Sequence, residues 1–209
     1  MNGFQKRRHT LRTYLLGANF HDALAVMTFV ERFHTGTRKD GVTHEFDHQL
    51  KIALYALTLP DLMYREEVIA TILSHDTPED YDVPQNEIVA VMRDRDMAAR
   101  VAEANDTMTK TFRGEKRDVP ELFRRMGLNP ISSIAKGCDR IDNYQSMPGV
   151  FTPIKQGSYL DEGDTLFLPM IKVARDQFPH QRLAYENMKF VMKSQMELIR
   201  HSLKALETV

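Results

Sequence analysis

Apolar residues recur every three or four positions along most of this chain, which is the spacing of one face of an α-helix. In the segment 22–34, for example, Leu24, Met27 and Val30 share a face. The same spacing predicts helices over 22–34, 45–57, 66–75, 96–108, 120–126 and 130–147, one that starts near 84, and two at the C-terminal end, the second over 181–206. No alternating run is long enough to predict a convincing strand, so we expect an all-α fold, a bundle of helices.

Three segments lack this spacing. Residues 109–118 carry several basic side chains and Gly114, which favours a loop or a frayed helix end. Residues 147–163 hold two prolines and three glycines and are predicted to form the longest loop. The basic start at 6–9, joined by Arg12, is interpreted as a solvated N-terminal arm in preference to a phosphate-binding arm.

The length and charge of the chain narrow the classes of protein. With 209 residues, of which 42% are apolar, the chain suits one domain with a sizeable core. We predict a single domain over 1–209, with its motif-bearing core at about 22–147 and C-terminal helices at about 164–206. Basic and acidic residues nearly balance, 28 against 29, so a nucleic-acid partner is not expected.

Cysteine usage and hydropathy indicate the compartment. The one cysteine, Cys138, excludes an internal disulfide and fits a reducing environment. The longest apolar stretch, near 52–59, is far too short for a membrane span. The apolar segment 15–18 that follows the basic start is too short for the core of a signal peptide. We therefore predict a cytoplasmic protein without a membrane partner. The C-terminal helix is expected to pack on its own core, although pairing into a homo-oligomer stays open.

The candidate chemistry begins with the pair His75-Asp76. It follows the apolar run 68–73, so it lies at the end of a buried helix, where an unpaired carboxylate is costly. Glu79 and Asp80 come shortly afterwards. Imidazole and carboxylate groups this close in sequence repel or compete with one another unless a cation lies among them. Mixed nitrogen and oxygen donors suit manganese, iron or zinc. On its own, the dipeptide is a weak signal, and an exposed helix end is the alternative.

Two more residues could join this pair. Asp139 lies between apolar positions, which points its carboxylate inward, but a salt bridge to Lys136 or Arg140 explains it equally well. His48 lies beside the apolar face of its helix, where a hydrogen-bonded core histidine is the more common outcome. Neither residue is predicted to be a ligand when it is taken alone.

The order H…HD…D, with its flanking sequence, resembles the HD-domain superfamily of metal-dependent phosphohydrolases. More narrowly, it resembles the hydrolase domain of RelA/SpoT-type alarmone enzymes, including their small stand-alone forms. The matching stretches are FHTGTRKDG at 33–41, HQLKIA at 48–53, ILSHDTPED at 72–80, MTK at 108–110 and KGCDRIDN at 136–143. Five blocks in order are far more specific than any one of them.

This resemblance implies roles for the residues at matching positions. The implied metal ligands, usually for manganese, are His48, His75, Asp76 and Asp139. The implied acidic pair beside the attacking water is Glu79 and Asp80. The implied nucleotide- or phosphate-binding residues are Arg32, Lys110, Lys136, Arg140, Asn143 and, by a looser match, Tyr159.

The resemblance also implies a reaction, the removal of pyrophosphate from the 3′ position of guanosine tetra- or pentaphosphate, (p)ppGpp. The cofactor would be a divalent metal, manganese before iron or zinc, and the partner a small-molecule nucleotide. Two imidazoles and two carboxylates leave about two places of an octahedral shell open, for water and a phosphoryl oxygen. Two alternatives remain open: an HD-type phosphohydrolase of another nucleotide, such as an NADPH phosphatase or a nucleotidase, and a non-catalytic nucleotide-binding module.

Departures from the family pattern concern the base-recognition pocket more than the metal site. Thr43-His44 stands where a Pro-Tyr pair is usual, Gln49 where proline is usual and Phe33 where a basic residue is common. The loop before the first implied ligand also has one inserted residue.

A competing motif occupies the same segment, since residues 44–48 read HExxH, the zinc-protease signature. On a helix, His44 and His48 would share a face and bind zinc, with Glu45 as general base. This interpretation leaves Asp139 and the HD pair unexplained, so a zinc protease is the least favoured alternative. Only the protease hypothesis requires His44 on the metal.

Overall fold

The computed structural model describes residues 2–207, and 71% of these residues are helical. Helices α1 to α12 span, in order, Gly3–Gly17, His21–Val30, Asp47–Ala56, Arg65–Ser74, Thr77–Tyr81, Gln85–Val89, Arg95–Met108, Val119–Gly127, Ser132–Ser146, Pro153–Glu162, Leu168–Gln177 and Arg182–Glu207. A π-helical turn, Gly163–Phe167, joins α10 to α11, and a 3₁₀ turn, Pro179–Gln181, precedes α12. A hairpin pairs β1 (Thr111–Phe112) with β2 (Glu115–Lys116). The all-α prediction is confirmed.

Helix α4 lies at the centre of the bundle. It packs against α2, α3, α7 and α9, and every side chain from Glu67 to Ser74 is buried. Glu67 offsets the cost of its burial by pairing with Arg100 on α7 at 2.7 Å. Because α4 is enclosed by other helices, His75 at its C-terminal end is buried, and Asp76, the next residue, is half-buried.

Helix α9 is the second enclosed helix. All side chains at 131–142 are buried, and the helix packs against α3, α4 and α12. The buried side of α12 includes Tyr185, Met188 and Met192, so the C-terminal helix packs on the core of its own chain, as predicted. The buried apolar side chains form one cluster that reaches from Leu11 to Ile199. The predicted domain limits at 1 and 209 lie outside the described residues.

The prediction of a solvated N-terminal arm is wrong, because the basic start belongs to α1. Asn2 and Gln5 form a capping box at the start of this helix. Arg7 donates two hydrogen bonds of 2.7 Å to Asp47, which lies 40 positions away. Pairing with so distant a carboxylate leaves no local signal in the sequence.

Two predicted loops also contain regular structure. In 109–118, Arg113 and Gly114 both take positive φ, which suits the tight turn of a two-residue hairpin. Most of 147–163 is occupied by α10. Its first turn is set by Thr152, whose hydroxyl accepts a hydrogen bond from the Lys155 amide at 3.3 Å, and by a proline that needs no amide hydrogen there.

Within residues 2–207, no helix has both the length and the apolar character required to cross a bilayer.

Candidate metal centre and adjoining pocket

The four implied ligands lie together, although they come from three different helices: His48 from α3, His75 and Asp76 from the end of α4, and Asp139 from α9. The Nε2 atom of His48 lies 3.2 Å from Asp139 Oδ1 and 3.9 Å from Asp76 Oδ2. The Nε2 atom of His75 lies 3.0 Å from Asp76 Oδ1 and 3.8 Å from Asp139 Oδ1. The fold therefore creates a compact set of two nitrogen and two carboxylate donors.

Both imidazoles direct Nε2 towards this centre because Nδ1 is bound elsewhere. The Nδ1 atom of His75 donates to the Ile72 carbonyl at 2.8 Å, and that of His48 donates to Asp142 Oδ2 at 2.6 Å. A neutral imidazole with its hydrogen on Nδ1 presents a lone pair at Nε2. Within residues 2–207, the buried Nε2 of His75 has no hydrogen-bond partner of good geometry. This is the orientation that a metal-binding histidine adopts.

The donor set fits a divalent cation. One ligand atom from each of His48, His75 and Asp76 lies within 4.8 Å of the others. In an octahedral shell with bonds of about 2.1 Å, neighbouring ligand atoms lie about 3.0 Å apart and opposite ones about 4.2 Å apart. The measured nitrogen–oxygen spacings of 3.0 to 3.9 Å fall in this interval. The centre could therefore hold manganese, iron or zinc, with Asp139 as a fourth ligand.

Asp139 is held in place by two neighbours on its own helix. Its Oδ2 accepts a hydrogen bond from Lys136 Nζ at 2.9 Å, and its Oδ1 accepts one from Asn143 Nδ2 at 2.7 Å. Burial by itself would raise the pKa of Asp139, but the Lys136 ammonium and the two imidazoles outweigh it and hold that pKa well below its usual range. Asp139 thus points inward and also forms a salt bridge, so the two sequence interpretations hold together.

The two carboxylates of the centre favour positive charge on its imidazoles. Burial by itself would lower the pKa of His75, but the carboxylates of Asp76 and Asp139 outweigh it and raise that pKa to about 10. Burial would likewise raise the pKa of Asp76, yet the charge of His75 lowers it. Protons and a metal ion therefore compete for the same place.

The centre opens into a pocket of about 260 Å³ that combines basic and aromatic side chains. Arg38 and Lys39 line it, as do the edge-to-face rings of Phe151 and Tyr159, whose centroids lie 5.5 Å apart. The other lining residues are Thr37, Asp40, Glu45, His48, Gln49, Asp76, Asp80, Asn143, Ser146 and Val150. The cations suit an anionic ligand, and the rings suit a flat group attached to it.

The two carboxylates of the implied acidic pair have different surroundings. Glu79 accepts hydrogen bonds from the backbone amides of Lys110 and Thr111, the latter at 3.0 Å, and does not line the pocket. Asp80 does line it, and desolvation, with the negative charges of Asp76 and other nearby carboxylates, raises its pKa to about 6. Asp80 is therefore suited to accept a proton near neutral pH, while Glu79 connects α5 to the hairpin.

The implied substrate residues do not all reach the pocket. Asn143 and Tyr159 line it, whereas Lys136 does not line it and forms a salt bridge with Asp139 of the metal centre. Arg32 lies elsewhere, since its guanidinium lies 4.6 Å from the ring of Phe29 and lines a separate groove.

Arg140 and Lys110 do not line the pocket either. The guanidinium of Arg140 lies between two rings, 4.2 Å from the centroids of both Tyr159 and Phe167, and it pairs with Glu162. Lys110 Nζ lies 3.9 Å from the same carboxylate. These two cations therefore balance Glu162 and support the aromatic wall.

The HExxH motif does not bring its two histidines together. Helix α3 begins at Asp47, later than the predicted start at 45, so His44 and His48 do not lie one turn apart on a helix. The His44 ring stacks on Phe4 at 4.0 Å, and its Nδ1 accepts a hydrogen bond from the Phe46 amide at 3.2 Å. The protease hypothesis requires a metal ligand that the structure directs elsewhere.

Several site residues were not assigned from the sequence. Asp142 had a signal, because it follows Asp139 by three positions and so shares its helix face. Arg38 and Lys39 lie inside the matching block 33–41, but nothing local identified them as pocket residues. Phe151 lies in a segment predicted to be a loop and carried no signal.

The chain matches no protein-family model and no curated protein. The support for a function therefore comes from the residues of the site and from the order of the sequence blocks that surround them.

Proposed function

We propose that the chain is a metal-dependent phosphohydrolase of the HD type, and specifically a (p)ppGpp 3′-pyrophosphohydrolase. The observation that carries the proposal is the convergence of His48, His75, Asp76 and Asp139 from three helices, with both Nε2 atoms directed to one centre. The choice of substrate is supported by the five sequence blocks that resemble alarmone hydrolases.

These four residues would hold the ion, which is manganese by the resemblance, while iron and zinc suit the same donors. When bound, a divalent cation lowers the pKa of a water molecule and neutralises charge on a phosphoryl oxygen. Asp142 and the carbonyl of Ile72 keep the two imidazoles in the tautomer that can bind it.

Asp80 is the proposed general base. Its carboxyl, with a pKa of about 6, is largely ionised at neutral pH and can still accept a proton. In the proposed reaction, the oxygen of water bonds to the phosphorus attached to the 3′ oxygen, and the bond between that phosphorus and the 3′ oxygen breaks. The proton lost by the water goes to Asp80, and the 3′ oxygen takes up a proton from solvent. The products are GDP or GTP and pyrophosphate.

The pocket supplies groups for the rest of such a substrate. Arg38 and Lys39 provide positive charge for phosphate groups, and one guanidinium group can bind two oxygens of the same phosphate. Phe151 and Tyr159 provide ring surfaces for a base. NADPH or a simple nucleotide would use the same groups, so these substrates are the broader form of the proposal. The raised pKa of Asp80 beside the donor set favours an enzyme over a non-catalytic binding module.

A substrate panel with the manganese-loaded chain tests the proposal. The panel contains ppGpp, NADPH, nucleoside mono- and triphosphates, and casein, with pyrophosphate, phosphate and peptide release measured separately. We expect pyrophosphate from ppGpp, and its loss in His75→Ala and Asp80→Asn. If phosphate is released from NADPH or a mononucleotide while ppGpp stays intact, the substrate is that nucleotide and not ppGpp. Binding of nucleotides without turnover would support the binding module, and cleavage of casein would support the protease.

A further inference from the structure

A second groove lies on the side of α2 that faces away from the core, and its basic residues have no role in the metal pocket. Its basic residues are Arg12 of α1, His21 at the start of α2, Arg32 just after α2 and Arg93 just before α7. The rest of the lining is Leu24, Ala25, Thr28, Phe29 and Val91. The groove has a volume of about 480 Å³ and shares no lining residue with the metal pocket.

The three arginines of this groove are free of carboxylates. Among the side chains of residues 2–206, no carboxylate oxygen lies within ion-pair distance of the guanidinium groups of Arg12, Arg32 or Arg93, and the lining contains no acidic residue. Two acidic side chains at or beside the start of α2 accept hydrogen bonds from backbone amides. Asp22 accepts hydrogen bonds from the backbone amides of residues 93 and 94, and Glu66 accepts them from those of 22 and 23. The three guanidinium groups therefore bring positive charge to the groove that no ion pair with a described side chain offsets.

Arg32 is oriented in advance for a ligand. Its guanidinium lies 4.6 Å from the Phe29 ring centroid, and its Nε donates to the Phe29 carbonyl at 3.1 Å. Both contacts leave its two terminal nitrogens available. A guanidinium that is already oriented loses little side-chain entropy when it binds an anion in a bidentate manner.

We propose that this groove binds a nucleoside di- or triphosphate. One arginine guanidinium can bind two oxygens of the same phosphate, and an apolar floor that contains Phe29 accepts a flat base. The volume lies in the range of about 300–1,000 Å³ that is typical of small-molecule sites. A nucleic acid is a poorer fit, because such interfaces bury about 1,000 Å² or more and the chain has a net charge of −1.

The floor of the groove is also in contact with the metal pocket through aromatic rings. Phe29 lies 5.4 Å from Phe33, which lies 6.0 Å from Tyr81, measured between ring centroids. The Tyr81 hydroxyl donates to Glu45 at 2.6 Å, and Glu45 lines the metal pocket. A nucleotide in the groove would thus contact the first ring of a row that ends at the other site.

Calorimetric titration of the full chain with ADP, in the presence of a chelator, tests the proposal. Because no metal is bound, the result does not depend on the proposed hydrolase reaction. We expect ADP binding that is weakened about tenfold by Arg32→Gln and by Arg93→Gln, because each change removes a charged phosphate contact. The matched control is Arg95→Gln, an exposed arginine outside the groove that has no carboxylate partner among the described residues, and it should bind like the parent. Phe29→Leu should weaken ADP more than inorganic pyrophosphate, because only ADP has a base that loses the ring surface.

Three results would overturn the proposal. The first is the absence of ADP binding to the parent chain. The second is binding that is lost in Arg38→Gln, a metal-pocket variant, and unchanged in Arg32→Gln. The third is a glutamate-rich peptide that binds more tightly than ADP and is weakened by the same groove variants, since it would assign the groove to an acidic protein segment.

Discussion

The Nδ1 atom of His48 lies 2.6 Å from Oδ2 of Asp142, and both side chains are buried. The two residues belong to α3 and α9 and are 94 positions apart in the sequence. The carboxylate orients the imidazole and increases the basicity of Nε2, which faces Asp139 and Asp76. The contact thus couples the packing of two helices to the properties of one proposed ligand.

Removing this carboxylate should weaken metal binding. We expect Asp142→Ala to reduce the affinity for manganese or zinc by about 10–100-fold, as is typical when the group that orients a ligating histidine is lost. Asp142→Asn should lose less, because the amide oxygen still accepts from Nδ1. Competition with a metal-sensitive chelating dye measures both effects. Asp161→Ala, an exposed change on α10, is the control. Parental affinity in Asp142→Ala would show that the contact does not orient the ligand.

Metal affinity should rise with pH. In the metal-free protein, the raised pKa of His75, about 10, means that this imidazole carries a proton at neutral pH, and a metal ion must displace it. Below that pKa, the apparent affinity should increase by about tenfold per pH unit for each proton released. Calorimetry in two buffers with different ionisation enthalpies counts the released protons. An affinity that stays constant between pH 7 and pH 8.5 would contradict this competition.

The two acidic residues after the HD pair should differ in variants. Asp80→Asn should lower kcat on the substrate found in the panel by about 10²–10⁴-fold, because a proton acceptor is lost, while metal content is unchanged. Glu79→Gln should keep most activity, since its amide oxygen still accepts from the backbone of Lys110 and Thr111. Metal analysis and steady-state kinetics on both variants check this. An equal loss of activity in the two variants would contradict the assignment of Asp80 as the base and Glu79 as a structural link.

Two glycines of the same region should respond in opposite ways to alanine. A Cβ at Gly163 would collide with the Tyr144 hydroxyl and lie 2.8 Å from Met196 Cε, so Gly163→Ala should destabilise the fold by about 1–3 kcal/mol. At Gly157, within α10, no atom outside the adjoining residues and the backbone of its own helix lies within 4 Å of the place that an added methyl group would take, so Gly157→Ala should stabilise the fold by up to about 1 kcal/mol. Urea unfolding measures both. Changes of the same sign would show that the backbone at Gly163 shifts to relieve the collision.

The sequence by itself determined the helical class, most helix positions and the order of the candidate ligands. These properties are local, because a helix repeats every 3.6 residues and its capping groups lie within one turn. The buried run before His75 already placed the HD pair at the end of an interior helix. The weaker predictions failed where local signals mislead, as at 147–163, where a capped helix start outweighs the effect of the glycines.

Only the tertiary structure decided which side chains meet. It paired Asp142 with His48 and Arg7 with Asp47, directed Asp80 but not Glu79 into the pocket, and turned His44 away from the centre. Each of these outcomes depends on how helices distant in sequence pack against one another. Periodicity within a helix contains no information about the partner it will face, so charge pairing, burial and the pKa of a carboxyl are set only when the bundle closes.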